Sequence, residues 1–180
     1  MFEIEFFRPS LNLTFIYVTH DQVEALTFAR QVIVMSSGRA VQIGTPEALF
    51  ERPAHTFVGH FIGSPGMNFL PVQIKGKQLD IAGHALPVPE GLVLPQGALT
   101  LGVRPEYTTL AEPGQRGALP GRVERIQNVG TYTLLTARVG EHIVRARLGV
   151  YARLPEVGAA VGLVLLGPHS CFYQNDELLA

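Results

Sequence analysis

The sequence predicts an α+β fold in two parts, a short α/β segment over residues 1–65 followed by an all-β barrel over residues 66–180. Three observations carry that reading. Residues 13–19 (LTFIYVT) are rich in β-branched and aromatic side chains and almost continuously apolar, the pattern of a strand buried on both faces in a parallel sheet. Residues 21–62 then repeat helix-start signals followed by apolar residues at helical spacing. Beyond Gly63-Ser64-Pro65-Gly66 that spacing ends, and short apolar runs are punctuated by Gly and Pro at intervals of roughly 8 to 12 residues, as in small barrels and sandwiches.

Taken in order, Thr19 or Asp21 can cap a helix whose stripe is Val23, Ala25, Leu26, Phe28 and Ala29 and which runs to Arg30. Residues 31–35 read as a second buried strand, 36–39 (SSGR) as a turn, and 40–43 as the antiparallel return. Gly44-Thr45-Pro46-Glu47 is a helix start, with Thr45 as cap, Pro46 at the first helical position and an acid in the first turn. That helix ends before Pro53. Residues 55–62 form a further helix with Phe57, Val58, Phe61 and Ile62 on one side. The barrel strands are expected over 71–75, 78–81, 84–88, 99–104, 121–129, 131–139, 141–148 and 161–166, with the Gly- and Pro-rich residues 110–120 as a connection. Met67 and Phe69 are expected to pack where the two parts meet.

Composition narrows the function. A chain that is 47% hydrophobic and 16% charged can build cores and is not a disordered polyelectrolyte. Its net charge of -1 provides no basic field for nucleic acid or an anionic membrane. Cys171 is the single cysteine, which fits a reducing cytoplasm and an inert core thiol. Glu3, Glu5 and Pro9 make the amino terminus unlike a signal peptide, and no apolar run approaches the roughly 20 residues that span a bilayer.

His20 is the residue with a functional signal. It stands where the apolar run of residues 13–19 meets a helix start, and side chains at the carboxyl end of a strand in an α/β sheet face the ligand crevice. It is therefore placed to meet a phosphate, although a lone histidine there can equally cap a helix or fill a polar gap. No GxxxxGK[ST] phosphate loop occurs in the 180 residues. His55, His60, His84, His142 and His169 are dispersed without ligand spacing, so no metal site is expected. Arg122, Arg125, Arg138, Arg145 and Arg147 can partly share one barrel face, since alternate strand residues point the same way. With only Tyr107, Tyr132 and Tyr151 near them, they read as a solvated face, and no nucleic-acid partner is expected.

VTHDQVEAL at residues 18–26, VIVMSSGRAVQIGTPEALFERPAHTFVGHFIGSP at 32–65 and MNFLP at 67–71 resemble the end of the ATPase subunit of ATP-binding-cassette importers, of the type that takes up sugars or glycerol-3-phosphate. LGVRPE at residues 101–106 resembles the hallmark of the accessory OB-like region of those subunits, the TOBE domain. The resemblance implies that residues 1–65 are the truncated C-terminal remnant of a nucleotide-binding domain and 66–180 an OB-like regulatory domain. It matches His20 to the switch histidine, which contacts the γ-phosphate of ATP in that family and is the one catalytic and cofactor-binding position carried over. It also implies ATP and Mg2+ as cofactors of the intact family protein, a second copy and transmembrane permease subunits as partners, a regulatory protein or metabolite, and a cytoplasmic location peripheral to the inner membrane.

Departures from the pattern limit these expectations. The phosphate loop with its lysine, the LSGGQ-type signature and the acidic strand end are missing, so His20 alone is expected neither to bind ATP usefully nor to hydrolyse it. Arg30 replaces an acid usual in the family, which a helix end tolerates through its dipole. Pro9 would interrupt the helix that normally precedes the strand, so an altered start is expected. A different class of function is a freestanding OB-like module for a small ligand or oxyanion, for which the arginine face is the motivating feature.

Overall fold

The computed structural model of the protein describes residues 14–179. It opens not on a strand but on an irregular stretch, residues 14–19, in which Ile16 and Val18 are each 90% exposed. The expected doubly buried strand is thus overturned for these residues. A parallel strand needs neighbours that take both rows of backbone groups and cover both faces, and no described strand pairs with this stretch. Every registered strand pair among the described residues is antiparallel. The fold is mainly β, and the parallel α/β layer is not part of it; the readings made for residues 1–13 lie outside the described residues.

Helix α1 (Gln22–Phe28) follows, capped by Asp21. Next come hairpin strands β1 (Val32–Ser36) and β2 (Arg39–Gly44), joined through Ser37 and Gly38 with φ of 50° and 75°, as a type I′ turn requires. β1 buries Val32 and Val34 but exposes Ile33 and Met35, so it is a half-buried hairpin strand rather than the fully buried one expected. Helix α2 (Pro46–Glu51) starts as its residues dictate, with the Thr45 hydroxyl accepting from the Ala48 amide at 3.2 Å. Helix α3 (Thr56–Phe61) is capped by His55, whose Nδ1 accepts from the Phe57 amide at 3.0 Å. Val32, Val34, Leu49, Val58 and Ile62 close a small core among these elements, whereas Phe61, expected on the inner side, is exposed.

The rest is a strand domain: β3 (Asn68–Lys75), β4 (Gln78–Ile81), β5 (His84–Pro87), β6 (Leu99–Val103), β7 (Thr109–Ala111), β8 (Leu119–Asn128), β9 (Thr133–Val139), β10 (His142–Leu148), β11 (Ala160–Val164), β12 (Cys171–Gln174) and β13 (Glu177–Leu178). Two antiparallel sheets, in the orders β13-β12-β6-β3-β4-β5 and β10-β9-β8-β11-β7, face each other across one core. Leu70, Leu79, Ile81 and Leu101 enter it from the first sheet, and Leu119, Leu135, Val144 and Leu163 from the second. Asn68 ties the sheets together, since its amide donates to the Arg145 carbonyl and its oxygen accepts from the Arg145 amide, both at 2.8 Å.

Eight of these strands follow the expected runs, β4 with the expected ends and the other seven with shifted ones; β7, β12 and β13 were not expected. β12 and β13 form a hairpin over Asn175 and Asp176, both at positive φ, a type I′ turn whose Asn-Asp chemistry was readable. This hairpin also docks the helices: the Leu178 amide donates to the Ala54 carbonyl at 2.9 Å, and the Thr56 hydroxyl to Asp176 Oδ1 at 2.7 Å.

Candidate functional site

His20 sits exposed at a bend just before α1. Side chains of Thr19 and Asp21 engage the helix start around it. Asp21 Oδ1 accepts from the amides of Val23 and Glu24 at 2.8 and 3.2 Å, and the Thr19 hydroxyl accepts from the Asp21 amide while donating to Glu24 Oε2. Tyr17 also donates to Glu24 Oε2 at 3.1 Å, a bond that raises the phenol's pKa. Two amides of the first turn of α1, those of Val23 and Glu24, are thus taken by the Asp21 carboxylate.

The His20 segment is joined to the rest of the molecule through α1, whose Ala25, Leu26 and Ala29 pack on the small helical core, and through a side-chain hydrogen bond. Gln22 Oε1 accepts from the Gly63 amide at 2.7 Å, immediately after the last turn of α3. There the strand domain inserts Arg104, which leaves β6 and is 1% exposed. Among the described residues its guanidinium fork donates hydrogen bonds to backbone carbonyls only. Nε donates to Phe50 at 2.9 Å, Nη2 to Leu49 at 3.4 Å, and Nη1 to Gly59 at 3.3 Å and to Ile62. Those carbonyls belong to the C-terminal ends of α2 and α3, where unpaired acceptors and the negative pole of the helix collect. The Phe50 ring lies against the guanidinium at 4.2 Å. Burial lowers the pKa of Arg104, and the nearby Glu106 carboxylate opposes that shift; an arginine stays charged under such conditions.

A second contact lies at the rim of the same junction. Glu51, the last residue of α2, accepts from the Tyr107 hydroxyl and pairs with His169 Nδ1 at 2.8 Å, while the Tyr107 and His169 rings stack at 3.8 Å. The bond to Glu51 pushes the Tyr107 pKa up to about 12. Met67 and Phe69 pack at the junction as expected, Phe69 edge-on to Tyr173 at 5.6 Å and tilted against His60 at 4.3 Å. Cys171 is a buried thiol whose pKa burial raises, in keeping with an inert core role.

The arginines do share one outer sheet face. Arg122 stands opposite Arg138, Arg125 opposite Thr136, and Thr136 opposite Arg145. A bulge at Glu124 turns its carboxylate onto that face to pair with Arg138, and Arg147 pairs with Glu106 at 3.0 Å while covering the Tyr132 ring. Two of the five arginines on this face, Arg138 and Arg147, are thus paired with carboxylates. Among the described residues no group of three or more His, Cys, Asp or Glu side chains converges as a metal site. Sequence reasoning missed Arg104 and Glu51; LGVRPE pointed to Arg104 only as part of a family hallmark.

Comparison with known proteins gives the geometry its context. Residues 63–108 match the model of the MalK OB fold domain, and residues 101–172 that of the TOBE domain. The sn-glycerol-3-phosphate import ATP-binding protein UgpC of Salmonella typhimurium is 39% identical over 172 residues, which cover 91% of this chain and 46% of that protein. The chain belongs to the ATP-binding subunits of ABC importers. It matches their C-terminal, TOBE-bearing part. UgpC of Vibrio vulnificus is 38% identical over 154 residues, 85% of this chain and 41% of that protein. An uncharacterized ABC transporter ATP-binding protein of Sinorhizobium fredii, y4oS, is 41% identical over 155 residues, 81% of this chain and 40% of its own length. The chain therefore spans less than half the length of these relatives. No helix among the described residues is long and apolar enough to cross a membrane.

Proposed function

We infer that the chain acts as the C-terminal part of the ATP-binding subunit of an importer for a small polar solute of the sugar or glycerol-3-phosphate class. The observation that carries this reading is the alignment to UgpC across 91% of the chain, which includes the His20 segment as well as the OB and TOBE regions. In the intact assembly ATP and Mg2+ bind to parts of the nucleotide-binding domain beyond these residues, and His20 supplies a hydrogen-bond partner for the γ-phosphate. Residues 1–65 complete the ATPase domain and residues 66–180 form its regulatory domain. The subunit works as a pair of copies on the cytoplasmic face of the inner membrane, seated on permease subunits, and the strand domain receives the second copy or a regulatory protein or metabolite.

Replacing the homologous portion of Salmonella UgpC with residues 14–179 tests the reading. The chimera is expected to restore glycerol-3-phosphate uptake to cells lacking UgpC, and His20→Ala to reduce its ATP hydrolysis by about a hundredfold or more, the scale for losing one preorganised donor. Unchanged hydrolysis in the His20→Ala chimera overturns the role assigned to His20. The isolated chain is expected to release no phosphate from ATP, checked by single-turnover assay.

A further inference from the structure

Resting on the reading of His20 given above, we propose that Gln22, the Ile62–Gly63 peptide and Arg104 form a relay through which the OB-like domain sets the position of the His20 segment. The Ile62 carbonyl, which accepts from Arg104 Nη1, and the Gly63 amide, which donates to Gln22 Oε1 at 2.7 Å, belong to one peptide group. That group is planar and rigid, so rotating it breaks both bonds together. A cation donating to the carbonyl also polarises the amide and strengthens what its N–H donates, the cooperative behaviour of hydrogen-bond chains. Gln22 lies two residues from His20. Arg104 leads directly into the turn bearing Tyr107, which grips Glu51.

The sequence at Gly63 is what the relay needs. Its φ of +105° is left to glycine, and a Cβ there would stand 2.8 Å from Arg104 Nη1. The guanidinium is equally particular: its planar fork reaches the ends of α2 and α3 at once, whereas a lysine ammonium delivers charge without that geometry. Arg104 is a positioning residue in this scheme; it touches no nucleotide. The two helix ends hold it in place, and the peptide it polarises holds Gln22.

Amide hydrogen exchange on the isotope-labelled chain tests the relay without ATP. In Arg104→Lys, exchange at Gly63 and at Ala25 of α1 is expected to rise about fivefold or more, the range of ordinary site-to-site coupling, with amides of β9 and β10 unchanged. In Gln22→Leu, the Arg104 Nε–H resonance is expected to move, since coupling is reciprocal. In the double variant, exchange at Ala25 is expected to rise no further than in the larger single. Unaltered exchange at Ala25 in Arg104→Lys, or additive effects in the double variant, overturn the proposal. Should Arg104→Lys not fold, Gln22→Leu decides alone, and an unmoved Arg104 resonance is the contrary result. These readouts fail or succeed independently of the chimera, so loss of the relay leaves the role of His20 standing, and the converse.

Discussion

Residues 14–18 and strand β6 are both short, apolar and rich in strand-forming side chains, yet one is exposed and irregular and the other is central. β6 lies between β3 and β12, so both rows of its backbone groups are paired, and Leu99, Leu101 and Val103 reach the core. Residues 14–18 have no described strand beside them, and Phe15, Ile16, Tyr17 and Val18 all face outward. A strand is therefore a relation between segments. Composition makes a segment eligible for it, and partners complete it.

The sharpest way to break the comparison is to truncate one side chain in each region. Leu101→Ala, at a fully buried position, is expected to cost about 2–5 kcal/mol in denaturant unfolding, and Ile16→Ala no more than about 0.5 kcal/mol. Equal losses would show that residues 14–18 are packed in solution. Gly63→Ala comes next, with an expected cost of about 1–3 kcal/mol from the collision with Arg104 and the positive φ. Calorimetry showing no change would mean the guanidinium is not held in its cage.

Asp21→Ala removes the α1 cap and is expected to cost that helix about 1 kcal/mol, read as faster amide exchange at Val23 and Glu24, with the strand domain unaffected. A strand domain that loosens equally would mean the His20 segment and the two facing sheets unfold as one unit. The smallest effect concerns Tyr107. Because its folded pKa of about 12 lies above the ordinary value of 10.0, the folded state holds the proton more tightly. That contribution is complete below pH 10 and is lost as pH rises toward about 12. Tyr107→Phe is expected to lose less stability than the wild type over that interval, measured by alkaline urea titration.

Much of the local structure was legible. Thr45-Pro46-Glu47 starts α2, Ser37-Gly38 turns the first hairpin, and residues 78–81 form β4 with the expected ends. These features depend on dihedral preference and capping among near neighbours, which sequence encodes directly. The candidate site was legible only in part. His20 stood out, whereas Arg104 is an arginine before a proline at a strand end, a place where a charged side chain usually meets water. Its burial depends on carbonyls 42 to 55 positions away. β12 and β13 were missed because four and two residues are too few to show a period, although Asn175-Asp176 marked their turn.

The sequence by itself determined the family, the capped helices, the hairpins and the apolar runs of the two facing sheets, because each rests on chemistry within a few residues. Tertiary structure decided which apolar runs become strands, that five arginines share one face with Glu124 and Glu106 as counter-charges, and that Arg104 is caged by two helix ends. Those outcomes require groups far apart in the chain to meet, and a buried cation is stable only where enough acceptors converge to replace its water.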